Sequence, residues 1–122
     1  MGSMGSLLLV EDDPLVRATL AEALTDAGFD VLEASDAESA LHVVAARDDL
    51  AVLMTDINLP GADGFTLARA ARQLRPRLPV VYASGRYREA DPTRALPGAA
   101  FLAKPFSVSS AVQALEGAIT QR

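Results

Sequence analysis

Residues 7–14 read Leu7-Leu8-Leu9-Val10-Glu11-Asp12-Asp13-Pro14, and the order of their chemistry sets the architecture. Four apolar residues in a row fit a short strand buried on both faces, as in the centre of a parallel sheet. Acids follow at once, and Pro14 then stands where a first helical turn tolerates a residue without an N–H. Val16, Leu20, Ala23, Leu24 and Ala27 recur behind it at helical spacing, and Gly28 ends the run. A strand that passes through a polar turn into an amphipathic helix is one βα unit.

The same unit can be followed along the chain. Apolar runs at 29–32, 51–54, 79–83 and 99–102 join 7–10 to make five expected strands, three of them fully buried. The second helix carries Ser35 and Glu38 at capping-box spacing, with Ala37, Ala40, Leu41 and Val44 on its apolar side. The third begins near Asp63, turns Leu67, Ala70, Ala71 and Leu74 inward, and stops before Pro76. The fifth begins at Ser107 with Val108, Ala111, Val112, Leu115 and Ile119 at helical spacing. Between Ser84 and Ala99 the apolar pattern thins, and Pro92 and Pro97 interrupt it, so residues 89–96 can supply only a short or irregular fourth helix. Strands alternating with helices predict the α/β class.

A chain of 122 residues, half of them hydrophobic and 22% charged, has the composition of one globular domain and disfavours a disordered chain. Its net charge of −5 opposes nucleic acids and acidic membrane surfaces, so neither is an expected partner. The absence of cysteine removes disulfides and thiolate metal sites and suits the cytoplasm, and no apolar run is long enough to span a bilayer. Met1-Gly2-Ser3-Met4-Gly5-Ser6 repeats itself as an expression scar does, which leaves 7–122 as the expected domain.

Ligands of open parallel sheets bind beyond the carboxyl ends of the strands. Glu11, Asp12 and Asp13 follow the first strand, Thr55 and Asp56 the third, Ser84 the fourth and Lys104 the fifth. If strands one and three are neighbours, Asp12 and Asp56 face each other. Two like charges roughly 4 Å apart repel by about 4 kcal/mol at an effective dielectric of about 20, a large term for a small domain. Either one carboxyl stays protonated or a cation lies between them. With oxygen donors only, and Lys104 expected on the far side, a hard ion is favoured over zinc or copper: magnesium first, manganese second.

Val10-Glu11-Asp12-Asp13, Asp56 with Pro60-Gly61 behind it, Ala83-Ser84-Gly85 and Lys104-Pro105-Phe106 occur in this order. Together they resemble the motifs of CheY-like receiver domains of bacterial response regulators, and the likeness extends over 7–122. The resemblance implies a flavodoxin-like (βα)5 doubly wound sheet with strand order 2-1-3-4-5. It implies that Asp56 is the phosphoacceptor, that Glu11 and Asp12 form the metal-binding acidic pair with Asp12 as direct ligand, and that Asn58 offers its backbone carbonyl. Ser84 and Lys104 would hold phosphoryl oxygens, Phe101 would be the switch aromatic, and the Lys104-Pro105 peptide would be cis. The implied donor is a histidine kinase or a histidine phosphotransferase, and the implied output is a protein target. The domain would be a signalling module, not an enzyme, assisting its own phosphorylation and dephosphorylation. Tyr82-Ala83-Ser84-Gly85-Arg86-Tyr87 also resembles the Phe-Ala-Thr-Gly-x-Tyr motif of single-domain regulators; a receiver excised from a hybrid histidine kinase is the alternative context.

The residue types suit that chemistry. A carboxylate is a competent nucleophile towards phosphorus, a divalent ion neutralises equatorial oxygens, and an ammonium offsets the charge of the product. Phosphorylation adds roughly −1.5 to −2 charges, which makes a new bond from Ser84 valuable. An inward Ser84 followed by Phe101 would bias the surface around the fourth and fifth helices. Plainer roles fit other residues: Asp13 as the N-cap of the first helix, His42 as a surface histidine, Tyr82 and Tyr87 as packing residues, and Gly61 and Gly64 as turn positions. Three rival functions share parts of the pattern. An aspartate-nucleophile phosphatase of the dehalogenase type needs a second acid where Asn58 stands, and a flavodoxin-like cofactor binder needs hydroxyls and glycines after the first strand. A receiver that has lost phosphorylation would lack part of the acceptor set, which is complete here.

Overall fold

The computed structural model describes residues 4–85 and 93–120. Its elements are β1 (Ser6–Val10), α1 (Pro14–Asp26), β2 (Asp30–Ala34), α2 (Ala37–Ala46), β3 (Leu50–Asp56), α3 (Gly64–Leu74), β4 (Val80–Ser84), β5 (Ala100–Ala103) and α4 (Val108–Thr120), the helix counted fifth in the sequence. All strand pairs are parallel and the order is β2-β1-β3-β4-β5, the flavodoxin-like doubly wound arrangement that the resemblance implied. The expected irregular helix at 89–96 lies outside the described residues up to 92, and 93–96 carry turns and bends, not helix.

Alternation along the central strands builds the two halves of the core. Leu8 and Val10 of β1, Leu53 of β3 and Val80 and Tyr82 of β4 face the layer that holds Ala40 and Val44 of α2 and Leu67, Ala68 and Ala71 of α3. Leu7, Leu9, Val52, Met54, Val81 and Ala83 face the opposite layer, where Leu24 of α1 and Ala111 and Leu115 of α4 pack. This two-sided burial is why these strands read as unbroken apolar runs, while β2 and β5 at the edges are only partly buried.

The helix starts show which local signals prevail. Asp13 caps α1, accepting from the Leu15 N–H at 2.9 Å and the Val16 N–H at 3.2 Å, with Pro14 in the first turn. At α2 the expected capping box is displaced by one residue. Asp36, not Ser35, is the N-cap, and it accepts from the Ser39 N–H at 2.7 Å, because a carboxylate is the stronger acceptor at the positive end of a helix. Those bonds hold the Asp36 carboxyl below its ordinary pKa. Three residues expected to face inward are exposed instead: Val16, Leu74 and Val108. Leu74 is the last residue of α3, while Val16 and Val108 lie in the first turns of α1 and α4 and line one open groove with Leu15, Leu20 and Phe106. His42 is exposed, as read.

Gly28 adopts φ 111 directly after the α1 C-cap, as a helix-ending glycine should. Gly64 is not a turn residue but the first residue of α3, and its constraint is space. Its N–H donates to the Ile57 carbonyl at 2.8 Å, and an added Cβ would collide with the Asp56 carbonyl oxygen and lie 2.8 Å from the Ile57 Cα. These are backbone atoms and cannot swing aside. Gly64→Ala is therefore expected to cost about 1–3 kcal/mol, the usual range for overpacking. Urea midpoints at unchanged slope would measure it, and a midpoint equal to the parent's would show that the β3–α3 connection yields freely.

Candidate functional site

The site lies where the chain order reverses, since β1 has β2 on one side and β3 on the other. Val10 pairs with Thr55, Asp56 with Ala83, and Ser84 with Ala103. Each chemically active residue thus sits at or just past the end of a ladder. The ladder itself continues one bond further, from Glu11 N to the Ala34 carbonyl at 3.1 Å, Ile57 N to Ala83 at 3.0 Å and Lys104 N to Ser84 at 2.9 Å. Asp56 and Ser84 are the last residues inside β3 and β4, so those strands run further than their apolar stretches.

Carboxylate oxygens of Glu11, Asp12 and Asp56 lie within 4.8 Å of one another. Glu11 is buried, Asp56 is 9% exposed, and Asp12 is turned towards solvent. Lys104, expected on the far side of this group, is in direct contact with two of its three acids. Its Nζ donates to Glu11 Oε1 at 2.7 Å and to Asp56 Oδ2 at 3.1 Å. The physical reason is reach. Lys104 follows β5, three strand spacings from the end of β1, a distance that neither side chain covers alone; the Lys104 stem and the Glu11 side chain extend towards each other over the end of β3, where Asp56 stands. Burial acts to lower the Lys104 pKa, but its hydrogen bonds to Glu11 and Asp56 outweigh this and hold it above the ordinary value. Asp12 is held above the ordinary carboxylate range, first by desolvation and then by its neighbour Glu11.

The other expected residues gather at the same edge. Asn58 donates its N–H to Asp56 Oδ1 at 3.2 Å and its side-chain amide to Ser84 Oγ at 3.3 Å, joining the acid to the hydroxyl. Ser84 is fully buried. Phe101 pairs with Tyr82 across β4 and β5 and is partly buried among Ala95, Leu96 and Ala99. Tyr82 is a packing residue, as read, set against Phe65 with ring centroids 5.1 Å apart and the ring planes tilted by 55°, and its hydroxyl accepts from the Leu96 N–H at 3.1 Å. The Lys104-Pro105 peptide is cis. Tyr87 lies outside the described residues.

Sequence reasoning missed Arg17. Its guanidinium donates to the Glu11 carbonyl at 2.7 Å and lies 3.4 Å from Glu33 Oε1. The signal was available in its position one turn after Asp13, which puts it on the same side of α1 as the acidic turn.

Three convergent carboxylates with only oxygen donors fit a hard divalent cation better than a softer metal, and Glu11, Asp12 and Asp56 are the residues able to hold one. Among the described residues no helix is long and apolar enough to cross a membrane.

The family model for the response regulator receiver domain matches residues 7–116. The chain is 34% identical to the aerobic respiration control protein ArcA of Escherichia coli strain K12 over 103 residues, covering 83% of this chain but 42% of that protein. It therefore spans about two fifths of that relative. Among solved structures, a sensor protein from Polaromonas sp. JS666 aligns with a TM-score of 0.87 at 32% identity, covering 97% of this chain and 98% of that one. The receiver domain of the hybrid histidine kinase CckA aligns with a TM-score of 0.81 at 32% identity, covering 94% and 99%. Domains of this family are signalling modules that interact with histidine kinases or phosphotransfer proteins. With its fold, its acidic edge and a family match over nearly the whole chain in agreement, this chain belongs to the response regulator receiver domains of two-component signalling.

Proposed function

We propose that residues 7–122 work as a phosphoacceptor in a cytoplasmic phosphorelay, with Asp56 as acceptor and a histidine kinase or histidine phosphotransferase as donor. The observation that carries this reading is the convergence of Asp56, Glu11 and Asp12 with the Lys104 ammonium at one sheet edge. Asp56 is the nucleophile: a carboxylate oxygen forms a bond to phosphorus as the bond from phosphorus to the donor imidazole nitrogen breaks. Lys104, already bonded to Asp56 Oδ2, turns its ammonium to a phosphoryl oxygen as the carboxylate loses its charge. Magnesium, or manganese in its place, when held by Asp12, Asp56, Glu11 and the Asn58 carbonyl, neutralises charge on the transferring group. Ser84 exchanges its Asn58 contact for a phosphoryl oxygen, and Phe101 follows it, altering the surface around α4 and the 93–99 segment. The same residues assist dephosphorylation, with water as the entering group.

A second context, a receiver within a hybrid histidine kinase, is supported by the likeness to the CckA receiver. The chemistry of the acceptor is the same in both.

Acetyl phosphate with magnesium should add one phosphoryl group, visible by intact mass, that Asp56→Asn abolishes. Equal labelling of Asp56→Asn would overturn the assignment. Asp12 generates a second expectation. An acid whose folded pKa is raised contributes most to stability below its ordinary value of 3.8 and loses that contribution as pH rises through the folded value. At neutral pH its charge therefore opposes folding. Asp12→Asn should raise the cation-free thermal midpoint while weakening magnesium binding in calorimetry; a lowered midpoint with unchanged affinity would contradict both halves.

A further inference from the structure

We propose that Arg17 is a positioning residue for the cation site, setting the geometry of the Glu11–Asp12 peptide without itself touching the ion; this rests on the cation reading above. The Glu11 carbonyl belongs to the planar peptide that links the two acids, so fixing its oxygen fixes the path into Asp12 as well. That oxygen accepts from Arg17 Nη1 at 2.7 Å, while the Glu11 N–H donates to the Ala34 carbonyl at 3.1 Å. Arg17 Nε is in turn 3.4 Å from Glu33 Oε1, next to Ala34 in β2. Both ends of the Glu11 backbone are thereby tied to the end of β2, directly on one side and through the guanidinium on the other. Arg17 is itself fixed by the first turn of α1, its N–H donating to the Asp13 carbonyl at 2.9 Å.

A positive charge beside a cation site needs a reason, because by Coulomb's law alone it repels the ion. Here Glu33 offsets the charge, and the planar fork of arginine supplies what a point charge would not: two donors at fixed spacing, one for the carboxylate and one for the carbonyl. The partners are partly exposed, with side chains 20% and 45% accessible, so the ion pair contributes little to global stability. Its effect should fall on the site.

The sign of the response separates positioning from proximity. If Arg17 is only a neighbouring charge, Arg17→Ala leaves magnesium affinity unchanged or tightens it, and Arg17→Lys behaves as the parent. If Arg17 positions the turn, Arg17→Ala weakens the magnesium Kd by about tenfold, the lower end of what losing an outer support of a metal ligand costs. Arg17→Lys then weakens it too, since one ammonium cannot make both contacts, and Glu33→Gln weakens it less. Calorimetric titration with magnesium chloride, paired with cation-free melting curves, reads this out. The magnesium concentration that half-saturates Asp56 labelling should rise by the same factor as the Kd, with the rate at saturation unchanged. Should Arg17→Ala fail to fold, Arg17→Lys and Glu33→Gln carry the comparison. Parent-like affinity in Arg17→Lys and Glu33→Gln overturns the inference. Asp12→Ala serves as the separate control: if it binds magnesium like the parent, the cation reading fails, whereas strong loss there with no change at Arg17 refutes the positioning role alone.

Discussion

Lys104 Nζ meets two carboxylates that arrive on different strands, 2.7 Å from Glu11 and 3.1 Å from Asp56, and the carboxyl edge of the sheet depends on that bridge. Parallel packing brings the ends of β1, β3 and β5 to one side, and the chain has placed acids at two of them. Without an opposite charge, such crowding would oppose the pairing that creates it. The bridge is not a fully buried ion pair, because the lysine side chain keeps 29% of its surface accessible while Glu11 and Asp56 keep 6% and 10%. Desolvation is therefore incomplete on the lysine side, and the ammonium can change partners without leaving a bare charge in the core. A group that stabilises the resting edge is in this way already beside the carboxylate proposed above to take the phosphoryl group.

Most of the fold was legible because its causes are local and repeated. Leu7 to Val10 show two-sided burial, Pro14 and Gly28 bound a helix, and parallel strands deliver whatever follows them to one edge. The membership of the site was legible for the same reason. Its internal arrangement was not. Chain order says that Lys104 follows the last strand, but not that its ammonium meets Glu11 from the first strand as well as Asp56 from the third. Arg17 was missed because its position one turn after Asp13 marks only a side of α1, while its shortest contact is to a backbone carbonyl. The cap of α2 slipped by one residue because Ser35 and Asp36 are adjacent competent acceptors, of which the carboxylate is the stronger. Val16, Leu74 and Val108 share another cause, since helical period predicts a face but not how much of it is covered at the end of a helix.

The site also shows how little of its geometry rests on side chains alone. Gly64 admits the α3 backbone to within contact of Asp56 and Ile57, and Asn58 is drawn over the Asp56 carboxylate by its own N–H. Ser84 is held within a buried strand and reached by the Asn58 amide. Asp56 is thus framed by main-chain atoms on two sides, which limits the positions it can take before any ligand arrives.

Glu11, Asp12 and Asp13 are consecutive and nearly alike, yet they have separate partners: an ammonium, the solvent-facing side of the carboxylate group, and the N–H groups of a helix. What sorts them is direction. The ladder bond from Glu11 keeps its side chain on the pleat of β1, and Asp13 has already turned to meet Leu15 and Val16. One residue inserted or removed between Val10 and Pro14 would pass each acid into its neighbour's post while leaving the composition of the turn almost unchanged. The turn is accordingly constrained in length more tightly than in identity, and spacing is the property by which a kindred acidic turn should first be compared with this one.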